Sequence, residues 1–282
     1  MTPALRPIAR DELHVAVRDL PPLPALVLEL VQSLGKEELS TKQYSAKILR
    51  DQALAAKILR VANSSFYGRG RQVRSVAEAI AVLGLRMVRG VVTAAGLADT
   101  FRSPGFDHYA FCRHSIGSAL CAQALAVELG RDDADLMFTV GLLHDIGRLA
   151  LASAFAPAYA EVEQWRRDQD CPDGEAERAV LGIDHAEVGG LIARQWNFAP
   201  VIVDAIRQHH SPPATAEVTL TGIAHVADAM AHALGLAGNA DEAVPTLVLP
   251  VWATCRLDDA ACMRVFACTE EQFETVCEAL LH

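Results

Sequence analysis

The chain has 282 residues, of which 51% are hydrophobic and 21% charged, and a formal net charge of -10 at pH 7. Such a chain is globular, with room for one large or two modest domains, which excludes an intrinsically disordered polymer. The acidic balance excludes a general nucleic-acid binder, because duplex affinity rests on cationic contacts to phosphate.

Helix signals dominate in chain order. LPALVLELVQSLG (23–35) spaces its apolar residues at helical intervals and ends on Gly35, a natural residue just past a helix end. STKQ at 40–43 fits a capping box, and DQALAAKILRVANSSFYG (51–68) reads as the next helix. SVAE at 75–78 is a second capping-box sequence opening AEAIAVLGLRMV, and 88–101 is apolar enough for a buried helix. A local basic run, YGRGRQVR at 67–74, reads as a solvated loop, with the alternative that it folds over a binding cleft.

FRSPGFDH (101–108) breaks the pattern at Ser103, Pro104 and Gly105, and is taken as a boundary between two helical lobes. Beyond it, helices are expected near 108–129, 135–153, 157–169, 174–181, 185–196, 200–210 and 217–235. Asp184 and Glu187 have N-cap and N3 spacing, placing His185 in a first helical turn, and HHSPP closes the helix before it. VPTLVLPVWA (244–253) suits a short extended run, and TEEQFETVCEALL (269–281) a capped C-terminal helix. The expected fold is all-α in two lobes. Their units are 1–104, 105–235 and a C-terminal extension, 236–282, packed on the second lobe.

The seven cysteines form no CxxC pair, which suits reduced thiols of a cytosolic protein better than a disulfide framework or a zinc cluster. The N-terminal MTPALRPIARDELHVAV is too charged for a signal sequence, and no window approaches 18 uninterrupted apolar residues. A cytoplasmic protein without a membrane partner is therefore expected.

Seven of the ten histidines fall between 108 and 225, while residues 15–107 contain none. Alone, each is an ordinary structural or surface residue. Together, His114, the His144–Asp145 pair, His185, the His209–His210 pair and Asp228 suggest one site. Adjacent helical residues point about 100° apart, so His144 and Asp145 can flank an ion set between helices. Mixed imidazole and carboxylate donors suit iron, nickel, zinc or manganese, and a dication would neutralise a buried Asp145.

The order His114, His144–Asp145, Asp228 resembles the HD superfamily of metal-dependent phosphohydrolases. More closely, the chain resembles the HDOD family, the HD-related output domains of bacterial signalling proteins. The likeness is carried by LPPLPALVLELVQ (20–32), ILRDQALAAKILRVANSSFYG (48–68), SVAEAIAVLGLRMVRGVV (75–92), FCRHSIGSAL (111–120), GLLHDIGRLAL (141–151), VLGIDHAEVGGLIARQW (180–196) and AIRQHH (205–210), within roughly 18–235.

Comparison with the related HD-GYP phosphodiesterases implies a ligand set of His114, His144, Asp145, His185, His209, His210 and Asp228. Arg148 stands where those enzymes carry a phosphate-holding lysine. Ala110 occupies a position where a third-metal carboxylate can occur, which implies one or two divalent ions. SPPATAEV after His210 lacks the GYP signature, which removes the reason to expect cyclic di-GMP. The resemblance implies a signalling output module that retains a metal site and works through signalling partners or a nucleotide-like ligand. The alternatives it leaves are a working metal-dependent phosphohydrolase and a small-anion sensor using the same cleft. Oligomeric state is not legible.

Overall fold

A computed structural model describes residues 7–32, 40–64, 72–101, 103–238 and 243–281, and among them fifteen helices and no strand. The N-terminal part holds α1 (Arg10–Arg18), α2 (Ala25–Gln32), α3 (Thr41–Ile48), α4 (Gln52–Ala62) and α5 (Val76–Thr100). Next come α6 (His108–Glu128), α7 (Ala134–Leu143), α8 (Ile146–Ala154), α9 (Ala156–Gln169) and α10 (Asp173–Leu181). The chain closes with α11 (His185–Gln195), α12 (Pro200–Gln208), α13 (Leu220–Ala233), α14 (Leu249–Cys255) and α15 (Asp259–Leu281).

Local chemistry explains most of these limits. At α3 the full capping box forms: Ser40 Oγ accepts from the Gln43 N–H, and Gln43 Oε1 accepts from the Ser40 N–H at 2.8 Å. At α5 only half of it forms. Ser75 Oγ accepts from the Glu78 N–H at 3.1 Å, but the Glu78 carboxylate takes the N–H of Arg74 instead. The Asn63 amide ends α4 by bonding both the carbonyl and the N–H of Val73, at 2.7 and 2.8 Å. The expected helix end at Gly35 and the 67–71 part of the basic run lie outside the described residues. Within α5 the chain turns through 103° at Gly84, whose φ of 77° an L side chain adopts only with strain.

Three expectations need correction. The helix predicted over 135–153 is broken: α7 stops at Leu143, α8 starts at Ile146, and His144 and Asp145 form the joint. Apolar periodicity runs on across that joint, so the pattern alone does not reveal it. The stretch 244–253 is extended only to Val248; α14 then begins at Leu249, with Pro250 in a first-turn position where its missing N–H is harmless. The C-terminal helix starts at Asp259, not at 269, behind Asp258, which accepts from the Ala261 N–H at 2.7 Å. Thr269, which reads as a cap in sequence, is buried in mid-helix and donates to Cys121 Sγ.

One cluster of buried apolar side chains runs from Leu13 to Leu280. Its axis is α6, buried on nearly every face as a core helix should be, and packed against α7, α13 and α15. Arg113 on α6 holds Glu274 on α15 through both guanidinium NH groups, at 3.0 and 2.7 Å. Helix α1 lies against α11, with Ile8 N–H donating to the Leu181 carbonyl at 2.9 Å. The stretch 134–154 is long and apolar enough to cross a membrane by composition, but 83% of that window is buried inside the fold, as a core helix would be.

Candidate metal centre

Five segments converge beside α6. His114 comes from α6, His144 and Asp145 from the α7–α8 joint, His185 from the first turn of α11, His209 and His210 from the end of α12, and Asp228 from α13. His114, His144, Asp145, His185, His209 and Asp228 are each at most 4% exposed. Capping places His185: the Asp184 carboxylate accepts from the Glu187 N–H at 2.8 Å and starts the helix one residue earlier.

The seven side chains gather around two carboxylate oxygens. Asp145 Oδ1 has three imidazole Nε2 atoms around it, from His185 at 3.1 Å, His144 at 3.3 Å and His209 at 3.5 Å. Asp228 Oδ1 has His114 Nε2 at 3.1 Å and His144 Nε2 at 3.4 Å. Asp145 Oδ1, Asp228 Oδ1 and His209 Nε2 are nevertheless buried without a hydrogen bond of acceptable geometry. An orphaned buried polar atom is costly, and a cation removes that cost.

The donor set fits such an ion. Donors about 2.0–2.2 Å from one ion lie roughly 3–4 Å apart, as these do. The ring tautomers fit as well. His144 Nδ1 and His209 Nδ1 each donate to a backbone carbonyl, of Gly141 and Ile206, at 2.7 Å. A carbonyl can only accept, so in the neutral ring Nε2 carries a lone pair directed at the centre. His185 Nδ1 is held at 2.6 Å by Glu177, which also takes the His185 N–H at 2.7 Å. His210 Nε2 stands 2.7 Å from His185 Nε2, and Asp145, His185, His209 and His210 bring one donor atom each within 4.8 Å of one another. The cluster is able to hold a metal ion.

The charges are tightly coupled. Burial raises both carboxyls, yet the charges of His144 and His185 hold Asp145, and that of His232 with the close imidazoles of His114 and His144 holds Asp228, well below the usual carboxylate range. Burial lowers His144 and His185, but Asp145 and Asp228 outweigh it at the first, and Glu177 with Asp145 at the second, so both end above the usual imidazole value. Burial leaves His209 low, and with its neighbouring imidazoles it leaves His210 lower still.

Arg148 lies beside Asp145 on the wall of a cleft, with its NH1 3.2 Å from Asp173 Oδ2 and 3.5 Å from Asp145 Oδ2, and its Nε 3.4 Å from the Tyr159 hydroxyl. The cleft, about 570 Å³, has His114, Asp145, His185, His210 and Asp228 on its floor and Arg148, Arg166, Arg167 and Arg178 along its walls.

Two members of the cluster escape the sequence reading. His232, one helical turn after Asp228, places Nε2 3.4 Å from Asp228 Oδ1. Glu177 is wholly buried on α10. By contrast His225, also buried, spends both ring nitrogens on the backbone of His209 and Val248 and supplies no donor to the centre. Because Glu177 orients His185, Glu177→Gln should keep the shape but weaken ion binding about 10–100-fold. Competition against a chelating dye at fixed pH measures this, and an unchanged affinity would remove Glu177 from the account.

The family model described as HDOD domain matches residues 20–212. The chain belongs to the HDOD domain family. The match runs unbroken across the 101–107 connection and includes six of the seven convergent residues, all but Asp228. This HDOD chain is 25% identical over 199 residues to an uncharacterized protein of Treponema pallidum, covering 70% of the chain and about two fifths of that relative, 39%. Among solved structures it is similar to an HDOD domain protein of unknown function from Geobacter sulfurreducens (TM-score 0.80, 22% identity, 96% of this chain and 97% of that one), which speaks to the fold. It is also similar to a candidate phosphohydrolase from Shewanella amazonensis SB2B (TM-score 0.74, 26% identity, 95% and 98% covered).

Proposed function

We propose that this HDOD chain is a cytoplasmic signalling output module that holds one or two divalent ions, of iron, manganese, nickel or zinc, in its His/Asp cluster. In this reading the cleft above takes a phosphate-bearing, nucleotide-like ligand, and a signalling protein reads its occupancy. The observation that carries the proposal is the pair of buried, unsatisfied carboxylate oxygens at the floor of an arginine-walled cleft. A cleft of this size accommodates a small-molecule ligand, and guanidinium groups suit phosphate oxygens. When bound, a divalent ion supplies Lewis acidity toward a phosphoryl oxygen.

The residues around it favour binding over turnover. Arg148, the arginine beside Asp145, is already engaged by Asp173 and Tyr159, so an incoming phosphate must share that guanidinium or displace Asp173. A second reading, a metal-dependent phosphohydrolase, is favoured by the complete donor set and by the likeness to the Shewanella protein.

Elemental analysis of protein purified without a histidine tag should find one to two transition-metal ions per chain. Near-zero metal after growth in supplemented medium would defeat both readings. Hydrolysis of nucleotides with added manganese or iron, lost in Asp145→Ala, would move the assignment to the second. Binding without hydrolysis keeps the first.

A further inference from the structure

His232 answers a question that the seven convergent residues leave open. Around Asp145 Oδ1 stand three imidazole Nε2 atoms, from His144, His185 and His209. Around Asp228 Oδ1 the seven supply only His114 and His144, at 3.1 and 3.4 Å. The third nitrogen there is His232 Nε2, at 3.4 Å. His114, Asp228 and His232 present one donor atom each within 4.8 Å of one another, and the rings of His114 and His232 lie 4.3 Å apart, tilted by 40°. His232 lines the cleft, as His114 and Asp228 do.

We infer that His232 is a metal ligand, the third protein donor to an ion held with His114 and Asp228. The inference rests on the proposal that the cluster holds metal, and adds where one ion sits and which side chain completes its donors. Structural sites take four protein donors and are closed, whereas three donors leave a position for water or a ligand. An ion there would thus tie α6 to α13 and keep a position facing the cleft, which His114, Asp228 and His232 all line.

The competing account is a helical i, i+4 pair, in which His232 only neutralises Asp228. A ligand and a counter-charge respond differently to removal. In the full chain, Co(II) is titrated into metal-stripped wild type, His232→Ala and His232→Gln, with the visible absorption of the bound ion as readout. Matching helical circular dichroism of all three in EDTA establishes that they fold. The wild type should bind two ions. Both variants should keep one unchanged and bind the other at least about tenfold more weakly, with an altered Co(II) spectrum. Free imidazole should restore affinity and spectrum in His232→Ala, whose truncated side chain faces the cleft, and should do nothing for the wild type. Two ions bound by a folded variant with unchanged affinity and spectrum would overturn the assignment of His232 while leaving the metal reading intact. A wild type that binds no ion would instead overturn the metal reading itself.

Discussion

Replacing Asp145 with asparagine is expected to strip the chain of the ion held at Asp145 while leaving its helices formed. Asp145 faces both ends of the cluster: Oδ1 meets His144, His185 and His209, and Oδ2 lies 3.8 Å from His114. Asparagine keeps the volume but removes the charge and replaces one oxygen with an NH₂ group that cannot accept a cation. Loss of even an outer-shell partner weakens a metal site about 10–100-fold, so loss of this donor should exceed 100-fold. A full metal complement in Asp145→Asn, by elemental analysis and calorimetric titration, would contradict the arrangement described.

The wild type's pH dependence follows from the same charges. His144 and His185 hold protons to above the usual imidazole range, because carboxylates face them. An incoming ion must displace those protons, so apparent affinity should fall as pH falls through their raised values, with protons released on binding. The metal-free fold responds to acid separately. The depressed pKa of Asp145 contributes stability that is fully present above the ordinary value of 3.8 and is lost as pH falls through the folded-state value. At neutral pH, metal-free Asp145→Asn should therefore melt below metal-free wild type.

Sequence and structure agree where a signal is local or repeated in a motif. Asp184 before His185 announces a helix start, and the structure forms that cap. The order of His114, His144–Asp145, His185, His209–His210 and Asp228 leads to one cluster because each stands at a fixed place on its helix. What stays hidden depends on packing. Glu177 looks like any solvent-facing acid of an amphipathic helix; the packing of α10 against α9 and α11 buries it, with the Tyr159 hydroxyl donating to it at 3.2 Å and His185 Nδ1 held at 2.6 Å. The spacing of Asp228 and His232 is visible in DAMAH, but that spacing equally describes an ordinary surface pair. The joint at His144 is invisible for a different reason. A ring-to-carbonyl bond from His144 to Gly141 lies at that joint, and a bond of this kind leaves no trace in hydrophobic periodicity.

Gly147→Ala should be the most damaging single-methyl change near the cluster. A Cβ at Gly147 would stand 1.9 Å from the carbonyl oxygen of His185, 2.7 Å from its carbonyl carbon and 2.8 Å from the nitrogen of Gly189. These are backbone atoms of α11, so no rotamer change relieves the overlap, and α8 and α11 must move apart. Overpacking a close-packed core costs about 1–3 kcal/mol, and a backbone-to-backbone clash belongs at the top of that range. The melting temperature should fall by roughly 5–10 °C. Metal should be lost too, because α8 follows directly on Asp145 and α11 begins with His185, whose donor atoms lie 3.1 Å apart. Gly174→Ala makes the internal comparison. It adds the same methyl close to the same cluster, where the nearest atom is His210 Cδ2 at an ordinary 3.6 Å. Within α10 that change should be neutral or stabilising by up to about 1 kcal/mol, with metal content unchanged. Equal melting temperatures for the two variants would mean that α8 and α11 are not held at backbone contact, and that the spacing of Asp145 and His185 is set by something else.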